Sequence, residues 1–348
     1  MEKNDQLPTR QQCKNYKRKH VFDNFFNFAS VNEVMLPHLV NDKETFESIT
    51  DLDKLIYLGG YNYEVEEETN SKYDFGFVLT TKRLLLNAYK ALLANPGGLN
   101  AAFDGTFQIC HNNWVLGNNG FLSSKYRTKD RKYGQTYNLS TICLMRNETI
   151  RGFYEWCKIF GEAFYKFFEL TLLMNTFGAD HSTPIFSGVM NYFAGALGLS
   201  CWPHLIRKQK ENKGKLCDKN NWGAIIKDIY LLHLASSQQM FDCMCIVMIR
   251  EWTNVLHEDC FAEYFDREYL TSPWNNWFAS SSGIPGVLPN QNPQESSHRL
   301  FKQCQSSGSL HNSTEFCINN TIPEILANAR FCEIMNILQT KALYHQKH

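Results

Sequence analysis

The stretch "LNAAFDGTFQIC", from Leu99 to Cys110, decides how this sequence is interpreted. Its apolar residues alternate as in a half-buried β-strand, yet Asp104 and Gly105 stand in the middle, and both residue types are depleted in strands. One explanation is structural, because Asp-Gly is a common turn dipeptide that ends a strand before a hairpin. The other is functional: a site at this position requires a carboxylate.

The composition permits a large folded core and gives no global signal for a nucleic-acid partner. The 348 residues are 43% hydrophobic and 14% aromatic, which suits one large domain with insertions or two ordinary ones. Lys plus Arg and Asp plus Glu each number 35, so the net charge is zero and any DNA site must be a local patch. The 12 cysteines include no C-x-x-C pair, and the sequence has neither a signal-peptide core nor a membrane-spanning run. These features predict a reducing, intracellular location and no membrane partner.

The spacing of apolar residues predicts a mixed α/β core. Three β-like runs separated by Gly- and Asn-containing turns indicate an antiparallel meander, and helices and a further strand follow. This order is typical of a central sheet flanked by helices. The predicted elements are a helix within 80–98, β-runs at 99–110, 113–124 and 133–145, a helix from Thr149 to about Leu172, a strand over 172–180, a helix over 182–197, a loop over 197–208, helices within 221–270 and a terminal helix over about 322–343.

Three carboxylates stand at notable places in this pattern. Asp104 lies inside the first strand of the meander, Asp180 ends the strand after the long helix, and Glu295 opens a helix. Side chains at strand ends converge at one edge of an α/β sheet, where converging carboxylates repel one another unless a cation is present. Oxygen ligands suit Mg²⁺ or Mn²⁺, and two such ions clamp the attacking and leaving oxygens of a phosphodiester displacement.

Each carboxylate also has a structural explanation. Asp104 fits a turn, Asp180 fits the N-cap of the helix over 182–197, and Glu295 fits a favourable interaction with a helix dipole. Their order along the chain favours a shared metal site.

Three segments in order resemble the transposases of Mutator-like elements: "AAFDGTFQI", "FGADHSTPIFSGVMNYFAG" followed by "LSCWPH", and "PNQNPQESSHRLFKQ". The resemblance covers about residues 75–305. It implies a ribonuclease-H-like domain with an Asp-Asp-Glu triad and an α-helical insertion before the Glu. In this sequence the triad is Asp104, Asp180 and Glu295, which the resemblance makes the catalytic residues and the ligands of two Mg²⁺ or Mn²⁺ ions.

The resemblance also covers a C-x-x-H pair, Cys201 and His204, to which it gives a structural or DNA-proximal role. The alternatives are a packing cysteine with a polar loop histidine, or half of a zinc site. The third segment departs from the family pattern. The usual Thr-Asn-Asn before the proline reads Asn290-Gln291-Asn292, and Gln294 replaces a typical apolar residue, so both changes lie in the turn that aims Glu295.

Basic residues near these motifs are candidates for phosphate contacts, which position DNA without reading its sequence. The alternative is a solvated surface. The candidates are Lys125, Arg127, Lys129, Arg131, Lys132, Arg207, Lys208, His298, Arg299 and Lys302.

These observations predict an α/β fold, a ribonuclease-H-like mixed sheet flanked by helices, with an all-α insertion before the last catalytic carboxylate. The resemblance implies a nuclear DDE-type transposase that cleaves and joins DNA, with terminal inverted repeats and target DNA as partners, acting as a homodimer or higher oligomer. The alternatives are a non-catalytic DNA-binding regulator derived from a transposase and a ribonuclease-H-like nuclease. The predicted division of the chain is an N-terminal arm and small accessory region (1–74), the first part of the core (75–215), the helical insertion (216–285), the completion of the core with Glu295 (286–305), and a linker with a C-terminal helix (306–348).

Overall fold

A seven-stranded mixed sheet forms the centre of the fold, in the order β1-β2-β5-β4-β3-β6-β7. The computed structural model describes residues 27–65, 73–107, 114–127, 132–296 and 314–329. The α/β class and the helix-flanked mixed sheet predicted from the sequence are confirmed. The strands are β1 Leu55–Glu64, β2 Tyr73–Thr81, β3 Leu99–Phe107, β4 Val115–Arg127, β5 Lys132–Met145, β6 Met174–Ala179 and β7 Leu197–Ser200.

Helices cover the sheet and form the insertion. Several begin at a residue whose side chain caps the first turn, such as Thr81 before α3 and Thr149 before α4, as the N-cap preference for Thr predicts. Within the described part of the chain, no helix has the length and apolarity needed to cross a bilayer. The helices are α1 Phe28–Met35, α2 Lys43–Ser48, α3 Lys82–Ala94, α4 Ile150–Phe168, α5 Thr183–Tyr192, α6 Trp202–Glu211, α7 Trp222–His233, α8 Gln238–Asn254, α9 Asp259–Phe265, α10 Thr314–Phe316 and α11 Ile322–Asn328.

The predicted meander is present as β3, β4 and β5. Asp104 pairs with Asn118 of β4 and Gly105 with Gly117, and β3 continues to Phe107. The interpretation of Asp-Gly as a turn is therefore wrong, because the strand runs through both residues.

The strand directions determine which strand ends meet at one edge of the sheet. β3 and β5 both pair antiparallel with β4, so they point the same way. β6 pairs parallel with β3, and β7 pairs parallel with β6. The carboxyl ends of β3, β5, β6 and β7 therefore lie at the same edge, where open α/β sheets place their sites.

Two parts of the sheet were not expected from the sequence. β1 and β2 extend it beyond β5, and the predicted division between residues 74 and 75 falls inside β2. The alternation in β1 is interrupted by a register shift at Gly59, whose φ of 142° favours glycine. The expected loop over 197–208 instead forms β7 and α6. Pro203 fits the first turn of α6 because no backbone N–H is needed there.

Apolar clusters lie on both faces of the sheet, and the insertion has its own core. One face packs against α3, α4 and α5 around Phe103 and Trp156, and the other packs against α1 and residues 317–326. In the insertion, Trp252 and Trp277 are fully buried in this separate core. The expected terminal helix begins at Ile322, and its predicted part beyond residue 329 lies outside the described residues.

Candidate functional site

Asp104 and Asp180 lie near the adjoining ends of β3 and β6. The parallel pairing of these strands ends at Ala102 and Gly178, two residues before each aspartate. Burial, and next the negative charge of Asp180, raise the pKa of Asp104 to about 7, although the Gly105 N–H donates to its Oδ1 at 2.8 Å. The two carboxylates therefore lie close enough for their charges to interact.

Asp180 does not cap α5. Ser182 occupies the N-cap position, so the capping interpretation of Asp180 is wrong. The Oδ1 atom of Asp180 is buried and has no hydrogen-bond partner among the described residues. Burial raises the pKa of Asp180, and the charges of His204 and His181 oppose that effect. A buried carboxylate oxygen that accepts no hydrogen bond is unfavourable unless a bound ligand supplies the missing interaction.

Glu295 approaches the same edge of the sheet from a separate segment. Residues 292–296 are helical, and the Glu295 Oε1 lies 3.2 Å from His204 Nε2 and 3.5 Å from Arg207 Nη2. The charge of Glu295 contributes to the raised pKa of Asp104. A favourable place in a helix dipole does not account for these contacts, so Glu295 belongs to the same electrostatic cluster as the two aspartates.

The C-x-x-H pair lies at the start of α6. Cys201 occupies the N-cap position, and its backbone N–H donates to Ala179 O at 3.0 Å, which ties α6 to the end of β6. Burial raises the pKa of the Cys201 thiol to about 12, so the thiol is protonated at neutral pH. Zinc binds the thiolate, and this environment therefore favours a packing role for Cys201.

His204 faces the carboxylates from the first turn of α6. Burial lowers its pKa, while the charges of Asp180 and Glu295 oppose that effect. Its Nε2 lies 3.2 Å from Glu295 Oε1, and its buried Nδ1 has no hydrogen-bond partner in the described part of the chain.

Two glutamines that stand out in the sequence only as departures from the family pattern are buried beneath the site. Gln291 and Gln294 have exposed fractions of 1% and 0%. The Gln291 Nε2 donates to Phe103 O at 2.9 Å and to Gly178 O at 3.1 Å. The Gln294 Nε2 donates to the Asn118 Oδ1 at 2.7 Å. These amides attach the Glu295 segment to the strands that carry the two aspartates.

Glu148 is a fourth acidic residue at the site, and sequence reasoning missed it. Its carboxylate lies against the backbone of Gly105, where a Cβ would overlap Glu148 Oε1. Burial, and next the charge of Asp180, raise the pKa of Glu148. Only the topology of the sheet identifies this residue. Glu148 follows β5, which points the same way as β3 and β6, so Glu148 lies at the same edge of the sheet as Asp104 and Asp180.

The donor chemistry at this edge fits a hard divalent cation. The four acids present carboxylate oxygens, and the buried Asp180 Oδ1 lacks a partner among the described residues. Burial is the largest cause of the raised pKa values of Asp104, Asp180 and Glu148. Among the residues that the structure describes, however, no three His, Cys, Asp or Glu side chains are close enough to form a metal-binding group. The acids therefore lie at one edge of the sheet but do not form a complete set of metal ligands.

The basic candidates divide into three groups. Arg207 and Lys208 are exposed on α6, where Arg207 contacts Glu295 and Lys208 contacts Glu211 at 3.0 Å. Lys125, Arg127 and Lys132 lie in the paired ends of β4 and β5. The remaining candidates lie outside the described residues: Lys129, Arg131, His298, Arg299 and Lys302.

Comparison with known proteins does not assign this chain to a family. No protein-family model matches the sequence. No curated protein matches it either. The resemblance to Mutator-like transposases therefore stays a prediction from the quoted motifs.

Proposed function

We propose that this chain is a metal-dependent DNA transposase of the Mutator-like type, which cleaves DNA and joins it at transposon ends. The observation that supports this most strongly is that Asp104 and Asp180 follow the last parallel pair of β3 and β6, where Gln291 of the Glu295 segment contacts both strands. A mixed sheet with an antiparallel meander, parallel β6 and β7, and a helical insertion before Glu295 is compatible with a ribonuclease-H-like core.

In this proposal Asp104, Asp180 and Glu295 hold two Mg²⁺ or Mn²⁺ ions, with Glu148 beside them. When bound, the ions supply the Lewis acidity that activates a water or a 3′-hydroxyl and stabilises the departing oxygen. The burial of Asp104 and Asp180 strengthens electrostatic interactions with charged groups at the site.

The other residues of the site orient and bind in this proposal. His204 Nε2 lies 3.2 Å from Glu295 Oε1, where the ring is placed to orient the carboxylate. Arg207 and Lys208 are exposed on the same helix and suit contacts with DNA phosphates. The partners are transposon terminal inverted repeats and target DNA. The joining of two ends calls for a homodimer or higher oligomer, and the activity places the protein in the nucleus; these points rest on the resemblance.

A non-catalytic DNA-binding regulator is the second candidate, and one observation favours it. Glu295 contacts His204 and Arg207, and no three ligand-type side chains in the described ranges are grouped closely enough for a metal. A protein derived from a transposase can keep the sheet and its basic surface while its acids no longer assemble.

The test is a nicking and joining assay with end-mimicking DNA and Mg²⁺. Asp104→Ala and Glu295→Ala are expected to abolish both products, whereas Glu33→Ala, which alters an exposed acid on α1, keeps them. Products that persist in both triad variants would reject the triad. Binding without cleavage favours the regulator, and cleavage without joining favours a nuclease.

A further inference from the structure

We propose that Gln291 and Gln294 are positioning residues, which fix Glu295 relative to Asp104 and Asp180 through buried side-chain amides. This inference rests on the function proposed above and deepens it, because it names what holds the third carboxylate at the site. Both positions depart from the family pattern, so the resemblance gives them no role.

Gln291 joins the two strands that carry the aspartates. Its Nε2 donates to Phe103 O at 2.9 Å and to Gly178 O at 3.1 Å. Phe103 directly precedes Asp104, and Gly178 marks the last parallel pair between β3 and β6. One amide therefore connects both backbones at the point where their pairing ends.

Gln294 extends this connection to β4. Its Nε2 donates to Asn118 Oδ1 at 2.7 Å and approaches Asn118 O at 3.3 Å. Asn118 is the cross-strand partner of Asp104, and its Nδ2 donates to Asp104 O at 3.1 Å. The Tyr137 hydroxyl donates to the same Asn118 Oδ1 at 2.8 Å. Because Gln294 directly precedes Glu295, this network fixes the residue next to the carboxylate.

The two glutamines also contact each other. Gln291 Nε2 lies 3.3 Å from Gln294 Oε1, so the two side chains form one connected unit, which we call the amide clasp. Both residues are almost completely buried, and the loss of a buried hydrogen bond costs more than the loss of an exposed one.

The chemistry of an amide suits this position. Asp104, Asp180 and Glu148 have raised pKa values, and their ionised forms repel one another. A neutral amide donates hydrogen bonds to the backbone without adding charge. The clasp therefore opposes the separation of the acids and leaves their charge available to a cation.

The test compares Gln291→Met and Gln294→Met with Gln209→Met in the full chain. Methionine keeps the approximate length of glutamine and removes the donor. Gln209 is a fully buried glutamine of α6 that takes no part in the clasp, so it is the matched control. Hydrogen–deuterium exchange of residues 290–296 reports whether the segment stays attached, and calorimetry with Mn²⁺ alone reports cation binding.

We expect exchange in residues 290–296 to become about five- to thirty-fold faster in both clasp variants, the effect of losing one or two buried hydrogen bonds. We expect Mn²⁺ affinity to fall about 10–100-fold, as for other residues that orient metal ligands. Gln209→Met is expected to leave both values at the wild-type level, and melting curves exclude global unfolding as the cause.

Wild-type exchange in both clasp variants would overturn the inference, whatever the Mn²⁺ result. Faster exchange without any Mn²⁺ binding by the wild-type chain would support the clasp and count against the proposed metal-dependent function. Faster exchange with unchanged Mn²⁺ affinity would overturn the positioning role, because the segment would then be held for stability alone.

Discussion

The carboxylate of Glu148 lies against Gly105, in the space where the side chain of any other residue would begin. A Cβ at this position would overlap Glu148 Oε1 and lie 3.3 Å from Val115 Cγ1. The carboxylate is the far end of a flexible side chain and can move, whereas the strand cannot. Glycine in the Asp-Gly dipeptide thus makes room for a fourth acid.

Gly105→Ala is expected to push Glu148 away from Asp104 and to lower the pKa of Asp104, because the charge of Glu148 contributes to its elevation. Glu148→Gln is expected to act in the same direction. Carboxyl-carbon NMR titration of the metal-free protein measures both effects. Glu33→Gln serves as the control, and an Asp104 titration that stays unchanged in both site variants would contradict the contact.

The metal-free protein is expected to lose stability as the pH rises from about 4 to about 7. The folded-state pKa of Asp104 is about 7 and its ordinary value is 3.8, so the folded state favours the protonated acid. Its contribution is fully present below the ordinary pKa and is lost as the pH rises through the folded-state value. Asp180 and Glu148, whose pKa values are also raised, act in the same direction.

Asp104→Asn tests this pH dependence. The variant cannot ionise, so its free energy of unfolding at pH 8 is expected to exceed that of the wild type, by an amount on the order of a few kcal/mol. Chemical denaturation at several pH values, with a chelator present, measures the difference. Wild-type stability that rises between pH 4 and 7 by the same amount in both proteins would count against the buried acid.

Asp74 is expected to be a major source of stability near the start of α4. It is fully buried and accepts hydrogen bonds from the Tyr63 hydroxyl at 2.6 Å, Thr149 Oγ1 at 2.8 Å and Asn147 Nδ2 at 3.3 Å. Asp74→Asn leaves some of these donors without an acceptor and is expected to lower the free energy of unfolding by about 1–3 kcal/mol. Denaturation with urea measures this, and Asp53→Asn at a partly exposed ion pair is the milder comparison.

Asn147 and Thr149, which donate to Asp74, are the neighbours of Glu148 in the chain. Asp74→Asn is therefore also expected to make the position of the Glu148 carboxylate less fixed. The same NMR titration would then show a lower pKa for Asp104 than in the wild type. An unchanged titration alongside reduced stability would restrict Asp74 to a structural role.

Glu258 is expected to make the insertion sensitive to acid. Its buried carboxylate accepts the backbone N–H of Cys217 at 2.6 Å and of Asp218 at 2.8 Å, and Asn221 Nδ2 at 2.9 Å. Burial acts to raise the pKa of Glu258, but these hydrogen bonds together lower it. A lowered pKa contributes stability above the ordinary value, and this contribution is lost as the pH falls through the folded-state value.

Glu258→Gln is therefore expected to destabilise the protein by about 1–3 kcal/mol at pH 7 and by less below pH 4. Urea denaturation at both pH values measures the change, with Glu263→Gln, at an exposed position, as the control. An equal loss at both pH values would show that packing, not charge, determines the effect.

Local sequence patterns suffice to predict the long, regular helices and strands. They also suffice to identify two of the four acids of the site. The helical spacing in α3 and in α4, and the meander, are clear because one face of each element is apolar. Asp104 and Asp180 are visible because a carboxylate in or directly after an apolar strand conflicts with local preference.

The rest of the site depends on contacts between distant parts of the chain. Gln291 and Phe103 are 188 residues apart in the sequence, and Gln294 and Asn118 are 176 residues apart. No local sequence pattern therefore predicts either hydrogen bond. Glu148 becomes visible only when the shared direction of β3, β5 and β6 is known. β7 has four residues, too few for a recognisable alternation.

One helix links the insertion to the acidic edge. Leu205 and Ile206 of α6 belong to the apolar core of the insertion, while His204 and Arg207, on either side of them, contact Glu295. Deletion of the insertion is consequently expected to disturb the acidic edge as well, because α6, which carries His204, would lose the apolar residues that it packs against.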